Sequence, residues 1–385
     1  MTADLVVRAR EFARSRLLGR EDYFDGLPAV PTPLSAELHR AGLANWWLPV
    51  SHGGAGAPLT TGIDLVSELA YGDAGFAFAS FLPVLGTTML HRFGEPALAA
   101  RHLGTMAREG GNCAILVSED EAGSELARNT TVYHRKGEDV VISGDKQFST
   151  NTDGADFLLV VARSAEDPSL HSVMLVQRDT PGIEIVRRWD MQGMRGSGTY
   201  QVRLRDCVIP AGNVLEGNGL RILEAGLNAS RTLIAATAIG ISRRIRDLAM
   251  EYAAHKRVKG APLAENAVFA AKLGQIEMLI DVMRNQCLAA AARFDSLLAA
   301  PDPAAALYRT GATREALAAK MYCGQAGWTV ATMGSELFGG LGYTNGHPIT
   351  KLVRDLRYVG LVEGGDDVVR DLLYSRYVAP SGRRR

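Results

Sequence analysis

Segments of helical period, then strand period, then helical period again follow one another along this chain, and that order limits its fold more than any other feature. From Leu5 to about Glu109 apolar residues recur at helical spacing, as at Leu34, Leu38 and Ala41 and again at Ile63, Val66, Leu69 and Ala70. Gly42 and Gly72 read as stops to those helices. Between Asn112 and roughly Pro210 the pattern changes to short β-branched and aliphatic runs, at 113–117, 140–143, 157–161, 173–176 and 183–186, broken by Gly137-Glu138-Asp139 and Pro181-Gly182. After Gly219 long helical patterns return over 220–255, 266–299 and 304–338, with Pro262 and Pro301-Asp302-Pro303 in the joints.

An α, β, α order excludes the strand–helix alternation of a doubly wound sheet. The glycine-rich stretch Ser51-His52-Gly53-Gly54-Ala55-Gly56-Ala57-Pro58 follows no strand and does not fit G-x-G-x-x-G, so it is no dinucleotide-binding turn. The expected fold is therefore α+β and multi-domain. Residues 1–111 read as an N-terminal helical domain, 112–213 as a middle β domain and 214–385 as a C-terminal helical bundle.

The 385 residues, 47% hydrophobic, supply material for a large core, and 42 basic residues balance 42 acidic ones. No overall field would hold such a chain on nucleic acid or an anionic membrane, and the Arg383-Arg384-Arg385 tail reads as solvated. No uninterrupted apolar stretch reaches the roughly 20 residues a spanning helix needs. Arg8, Arg10, Glu11, Arg14 and Arg16 interrupt the N-terminus where a signal peptide would be apolar, so a cytoplasmic location is expected. Cys113, Cys207, Cys287 and Cys323 are widely spaced, without a C-x-x-C pair, and the histidines form no H-E-x-x-H or H-x-x-H. Reduced thiols and no metal site follow.

Four segments carry chemistry. Phe338-Gly339-Gly340-Leu341-Gly342-Tyr343 precedes Pro348, Lys351, Arg354-Asp355 and then Glu363-Gly364. Upstream stand Val117-Ser118-Glu119-Asp120-Glu121-Ala122-Gly123-Ser124-Glu125, Gly144-Asp145-Lys146-Gln147-Phe148-Ser149-Thr150-Asn151 and Gly193-Met194-Arg195-Gly196-Ser197-Gly198-Thr199. In this order they resemble the F-G-G-x-G-Y/F…R-D…E-G-T, V-T-E-P-G-A-G-S-D, G-x-K-x-W/F-I-T-N and G-x-R-x-S-x-T motifs of the acyl-CoA dehydrogenase family. Ser67-Glu68-Leu69-Ala70-Tyr71-Gly72 extends the match into the first domain.

The resemblance implies a helical domain, an antiparallel β domain and a C-terminal four-helix bundle, and an FAD-dependent enzyme that introduces a 2,3 double bond into an acyl thioester, carried on CoA or on an acyl-carrier protein. Such a reaction needs a base for the α-proton and an acceptor for the β-hydride, and no side chain accepts a hydride. Glu363 matches the catalytic glutamate; taken alone it reads as an acid near the start of a helix over 366–374. Arg231 matches an arginine beside that carboxylate, or it is a helix-surface residue. Ser118, Ser149 and Thr150 match the flavin-facing strand ends, and their plain reading is local backbone capping. Phe148 is a flavin-side aromatic or a core one.

Gly339 and Gly340 match a turn that approaches the neighbouring subunit's FAD, Gly365 matches a position expected to touch it, and Lys256 or Arg257 could counter its pyrophosphate. Ser124 and Asn228 match the substrate side. A homodimer or homotetramer is implied, with an electron-transfer flavoprotein or oxygen as acceptor. Lys259-Gly260, Glu336 and Gly365 depart from the family's aromatic-glycine, glutamine and threonine, which suggests a specialised biosynthetic member acting on a carrier-bound acyl group. Two rivals remain open: a flavin monooxygenase on the same fold, which has no use for Glu363, and a flavin-free binding homologue.

Overall fold

The computed structural model describes residues 2–123 and 125–380. Its N-terminal part is helical: α1 Thr2–Phe12, α2 Glu21–Asp25, α3 Thr32–Arg40, α4 Leu59–Gly72, α5 Ala74–Phe81, α6 Pro83–Phe93 and α7 Pro96–Glu109. The apolar stripe of α4 (Ile63, Val66, Leu69, Ala70) is buried, as its spacing requires. Asp73 ends α4 in an extended conformation and caps α5 by accepting from Phe76 N at 2.7 Å. The stretch Ala74–Phe93, over α5 and α6, is by length and mean composition apolar enough to cross a membrane, although Ser80, Thr87, Thr88, His91 and Arg92 interrupt it. In the fold 83% of its 18-residue apolar window is buried, so its apolarity serves the core.

The middle part is a sheet of β1 Cys113–Leu116, β2 Val132–Lys136, β3 Asp139–Thr150, β4 Phe157–Ser164, β5 His171–Gln177, β6 Ile183–Arg188 and β7 Thr199–Pro210. The strands run in the order β1-β4-β2-β3-β7-β6, with β5 also on β4. The sheet is mixed where an antiparallel one was expected, because β1 and β2 each pair with β4 in parallel. Strand direction is set by the path between strands, here the β2–β3 hairpin inserted between β1 and β4. Bulges interrupt the β3–β7 pairing between Lys146 and Ser149, and Phe148 takes φ 52° there. A bulge of this kind re-aims side chains, and Phe148 is left 55% exposed.

The C-terminal part has α8 Gly219–His255, a ribbon of β8 Arg257–Val258 and β9 Ala261–Pro262, α9 Ala267–Leu298, α10 Pro303–Thr310, α11 Arg314–Leu337, α12 Pro348–Val359 and α13 Asp366–Leu373. Lys259 and Gly260 close the ribbon with φ 50° and 83°, the positive pair a two-residue type I′ turn requires. Helices α8, α9, α11 and α12 pack as the bundle, and Cys287 and Cys323 face each other across α9 and α11 as buried free thiols 3.7 Å apart.

One buried ionic cluster ties the three parts together. Lys351 on α12 reaches Asp73 at 2.8 Å and Asp355 at 2.6 Å, and Asp355 Oδ1 accepts from Met194 N at 2.6 Å. The Arg354-Asp355 motif therefore locks α12 against the helical domain and the β domain, fixing the turn that follows α12.

Candidate active site

All three parts meet at a cavity of about 510 Å³, within the roughly 300–1,000 Å³ range usual for small-molecule sites. Its apolar lining includes Phe78, Leu82, Leu85, Leu223, Leu227 and Tyr358, and its polar lining Ser118, Gln147, Thr150, Thr199, Arg231 and Glu363. A second cavity of about 440 Å³ opens beside Phe294 and Asp295. There the Asp295 carboxylate is spent on the Leu59 and Thr60 amides, at 2.8 and 3.1 Å, and is no candidate base.

Glu363 sits in the turn between α12 and α13 with φ 51°, and Gly364 follows at φ 94°. A non-glycine residue in the left-handed region costs roughly 1 kcal/mol or more and persists only where its surroundings impose it. The surroundings are Arg231, whose Nε and Nη2 donate to the Glu363 carbonyl at 3.0 and 2.9 Å, and Lys320, whose Nζ donates to the Gly364 carbonyl. The Glu363 side chain accepts from Ser230 Oγ at 2.7 Å through Oε2, while Oε1 is shielded from solvent without a partner.

Burial pushes the Glu363 carboxyl up to about 7, even though Arg231, the Ser230 hydrogen bond and Lys320 all pull it down. Burial lowers the Lys320 ammonium to about 8, assisted by Arg231, while Asp366 and Glu363 act in the opposite direction. A carboxylate that ionises near neutrality inside an apolar cavity is suited to proton abstraction.

Behind Glu119, which is part of the cavity lining, Lys146 of β3 pairs with that carboxylate at 2.7 Å with both side chains almost wholly buried. Thr130 N, at 2.5 Å, and Thr131 N, at 3.1 Å, also donate to Glu119, pinning the 118–131 loop to the sheet. Burial raises the Glu119 carboxyl, but Lys146 and the threonine donors outweigh it and hold it at about 2.

The structure brings Ser118, Phe148, Thr150, Arg231, Glu363 and Gly365 to one cavity. Ser149, between Phe148 and Thr150, faces away from that lining with its buried Oγ unpaired. Asn228 does not reach the cavity lining, which corrects its assignment to the substrate. It is fully buried, donates to Gly311 O at 2.7 Å and accepts from Thr313 N at 2.8 Å, so its amide is spent on the α10–α11 joint. Ser124 lies outside the described residues.

Lys256, Arg257, Gly339 and Gly340 are exposed at the other end of the bundle, where Tyr252 packs on Phe338 with ring centroids 5.3 Å apart. Along the continuous α8, Arg231 and Lys256 are separated by roughly 37 Å at 1.5 Å per residue. Nothing within 4 Å would obstruct a Cβ on Gly339 or Gly340, so that turn faces open space. Glu336, one of the departures, pairs with Lys272 of the same chain.

Ser230, Lys320 and Gln147 were not singled out by sequence reasoning as site residues. Lys320 had left a signal: it falls on the apolar stripe of α11 with Ala316, Leu317, Cys323 and Gly324.

The polar lining suits a flat hydrogen-bonding ring such as the isoalloxazine of FAD. Gln147 Oε1 is buried on the cavity wall without a partner, the Ser118 and Thr150 hydroxyls lie on the same wall, and Phe148, stacked on Trp189 at 5.0 Å, offers an exposed aromatic surface.

Comparison with known proteins agrees with this geometry. Family models match at residues 3–110 (acyl-CoA dehydrogenase, N-terminal domain), 114–207 (middle domain) and 217–378 (C-terminal domain). An acyl-CoA dehydrogenase of Bacillus subtilis is 27% identical over 376 residues, covering 96% of this chain and 95% of that protein. Among solved structures, butyryl-CoA dehydrogenase from Megasphaera elsdenii superposes with a TM-score of 0.88 at 24% identity, covering 96% of both chains. The prolyl acyl carrier protein oxidase AnaB gives 0.88 at 21%, covering 98% of this chain and 99% of that one. A glutaryl-CoA dehydrogenase from Mycobacterium smegmatis in complex with FADH2 gives 0.84 at 22%, covering 100% and 95%. At those identities the likeness of the structures is one of fold. The three matched domains, in order and over nearly the whole chain, show that this protein belongs to the acyl-CoA dehydrogenase family, oxidoreductases acting on CH–CH groups.

Proposed function

We propose that this chain binds FAD in the cavity and desaturates an acyl thioester between its α and β carbons, with Glu363 as the base. The carrying observation is the Glu363 side chain in the lining of the cavity where the three domains meet, one carboxylate oxygen held by Ser230 and the other shielded without a partner, with desolvation pushing its carboxyl up to about 7. Bound FAD supplies the hydride acceptor that no side chain can provide. The chain's own residues do the rest. Glu363 removes the α-proton as the α C–H bond breaks, and the proton ends on its carboxylate.

Among the described residues no backbone carbonyl takes the Glu363 N–H, which leaves this donor for a thioester oxygen as negative charge develops on it. Phe78, Leu82 and Leu85 exclude water around the acyl group. The poised carboxylate weighs against the oxygen-activating alternative, which has no use for it.

The separation of Lys256, Arg257, Gly339 and Gly340 from Glu363 supports a site completed by a second copy of the chain. In that arrangement these residues reach the partner's FAD and the protein is a homodimer or homotetramer. The thioester carrier is CoA or an acyl-carrier protein, and the reduced flavin returns its electrons to an electron-transfer flavoprotein or to oxygen. Steady-state turnover of matched acyl-CoA and acyl-carrier-protein thioesters, with each acceptor in turn, tests the reading. A preference of tenfold or more in kcat/KM, about 1.4 kcal/mol, identifies the carrier. Absence of turnover with every pairing contradicts the dehydrogenase assignment.

A further inference from the structure

We propose that Lys320 is a positioning residue for this reaction: it holds the Gly364 carbonyl while Arg231 holds the Glu363 carbonyl, and together they fix the left-handed turn that presents the base. The proposal rests on the reading of Glu363 as that base.

Lys320 is fully buried, on the side of α11 that carries Ala316, Ala319 and Cys323. A lysine so placed costs several kcal/mol of desolvation unless its charge is compensated. Yet no carboxylate lies within ion-pair distance of its Nζ among the described residues, and its hydrogen bond goes to Gly364 O. Arg231, 4% exposed, behaves in the same way: two of its nitrogens are spent on a carbonyl and Nη1 has no partner. Two desolvated cations therefore converge on consecutive carbonyls of one two-residue segment, and both residues of that segment have positive φ. Helix packing delivers Lys320 there. A Cβ on Gly324, one turn along α11, would sit 2.9 Å from Gly360 Cα, so only glycine lets α11 approach the end of α12 this closely.

The groups around Glu363 come from four elements. Arg231 and Ser230 belong to α8, Lys320 to α11, and Tyr358, whose phenol is raised by burial and by Glu363, to α12. Asp366 of α13 acts on Lys320, and Glu224 and Arg376 act on Arg231. Removing Lys320 takes one positive charge from the base and frees one carbonyl of the turn.

The test uses FAD-loaded wild type, Lys320→Met, Lys320→Gln and Glu363→Gln, with anaerobic flavin reduction followed across about pH 6 to 9. Lys320→Met is expected to keep its flavin absorbance and a KM within about threefold, to lose about 10- to 100-fold in reduction rate, and to shift the rising limb of its profile to higher pH. Lys320→Gln, neutral but still a donor, should recover part of the rate and show the same shift. If either variant folds and reduces flavin within about twofold of wild type with an unmoved limb, Lys320 is only a structural tie, even if the melting temperature falls. The Glu363→Gln control separates the two ideas. A wild type active only with Glu363 intact, beside unaffected Lys320 variants, overturns the role of Lys320 alone, whereas a wild type inert to every thioester overturns the reading beneath it.

Discussion

Ser230 Oγ donates to Glu363 Oε2 at 2.7 Å, while Oε1 of the same carboxylate is buried with no partner. The two oxygens are therefore inequivalent, and Oε1 is the one with no hydrogen bond to compete with an incoming proton. The hydrogen bond favours the ionised form. Ser230→Ala should therefore move the rising limb of the pH–rate profile to higher pH by up to about one unit, equivalent to about 1.4 kcal/mol. Stopped-flow flavin reduction measures the limb, and an unchanged limb would show that this bond does not tune the base.

Stability should carry the same signature. The folded-state value of about 7 stands above the ordinary 4.5, so the stabilisation from Glu363's proton is fully present below about pH 4.5 and is lost as pH rises through about 7. Glu363→Gln removes the penalty of burying the anion. The variant should melt higher than wild type at pH 8 and close to it at pH 5, with at most about 3 kcal/mol between the two conditions. Parallel melting curves at both pH values would place the carboxylate in a far more solvated setting.

Lys146→Met would leave the Glu119 charge buried in the cavity wall with no cation beside it. A loss of about 3–5 kcal/mol is expected in denaturant unfolding, partly recovered by adding Glu119→Gln. The Glu119 contribution is present above the usual carboxylate range and disappears as pH falls towards about 2, so wild type should weaken in acid more than the double variant. A single variant as stable as wild type would contradict the buried pairing.

The proposed two-chain site makes a prediction of its own. Arg257→Ala should retain less flavin through gel filtration than wild type, and Glu363→Gln should retain flavin but fail to reduce it. Mixed oligomers of the two contain sites with one intact Glu363 and one intact Arg257, so activity should reappear after the inactive proteins are mixed and reassembled. No recovery in verified mixed oligomers would mean that each site is built within one chain.

The three-block architecture was legible because helical and strand periods are local properties. Parallel pairing of β1 and β2 with β4 was not, since strand direction depends on the path between strands. Glu363 and Arg231 were singled out by their resemblance to the family's motifs, and the fold sets the two side by side. Ser230 and Lys320 escaped attention because they reach Glu363 and Gly364 only when α8 and α11 pack on the turn. Asn228 was misassigned for the complementary reason. It lies three residues from Arg231, but its amide is turned to Gly311 and Thr313.

The most direct test of the central claim is anaerobic mixing of the FAD-loaded protein with a panel of acyl-CoA and acyl-carrier-protein thioesters, following the oxidised-flavin absorbance. Rapid bleaching by at least one thioester, reduced by at least about 10³-fold in Glu363→Gln, is the predicted result. Bleaching that proceeds equally fast in Glu363→Gln, or none at all with flavin demonstrably bound, would contradict the assignment of Glu363 as the base.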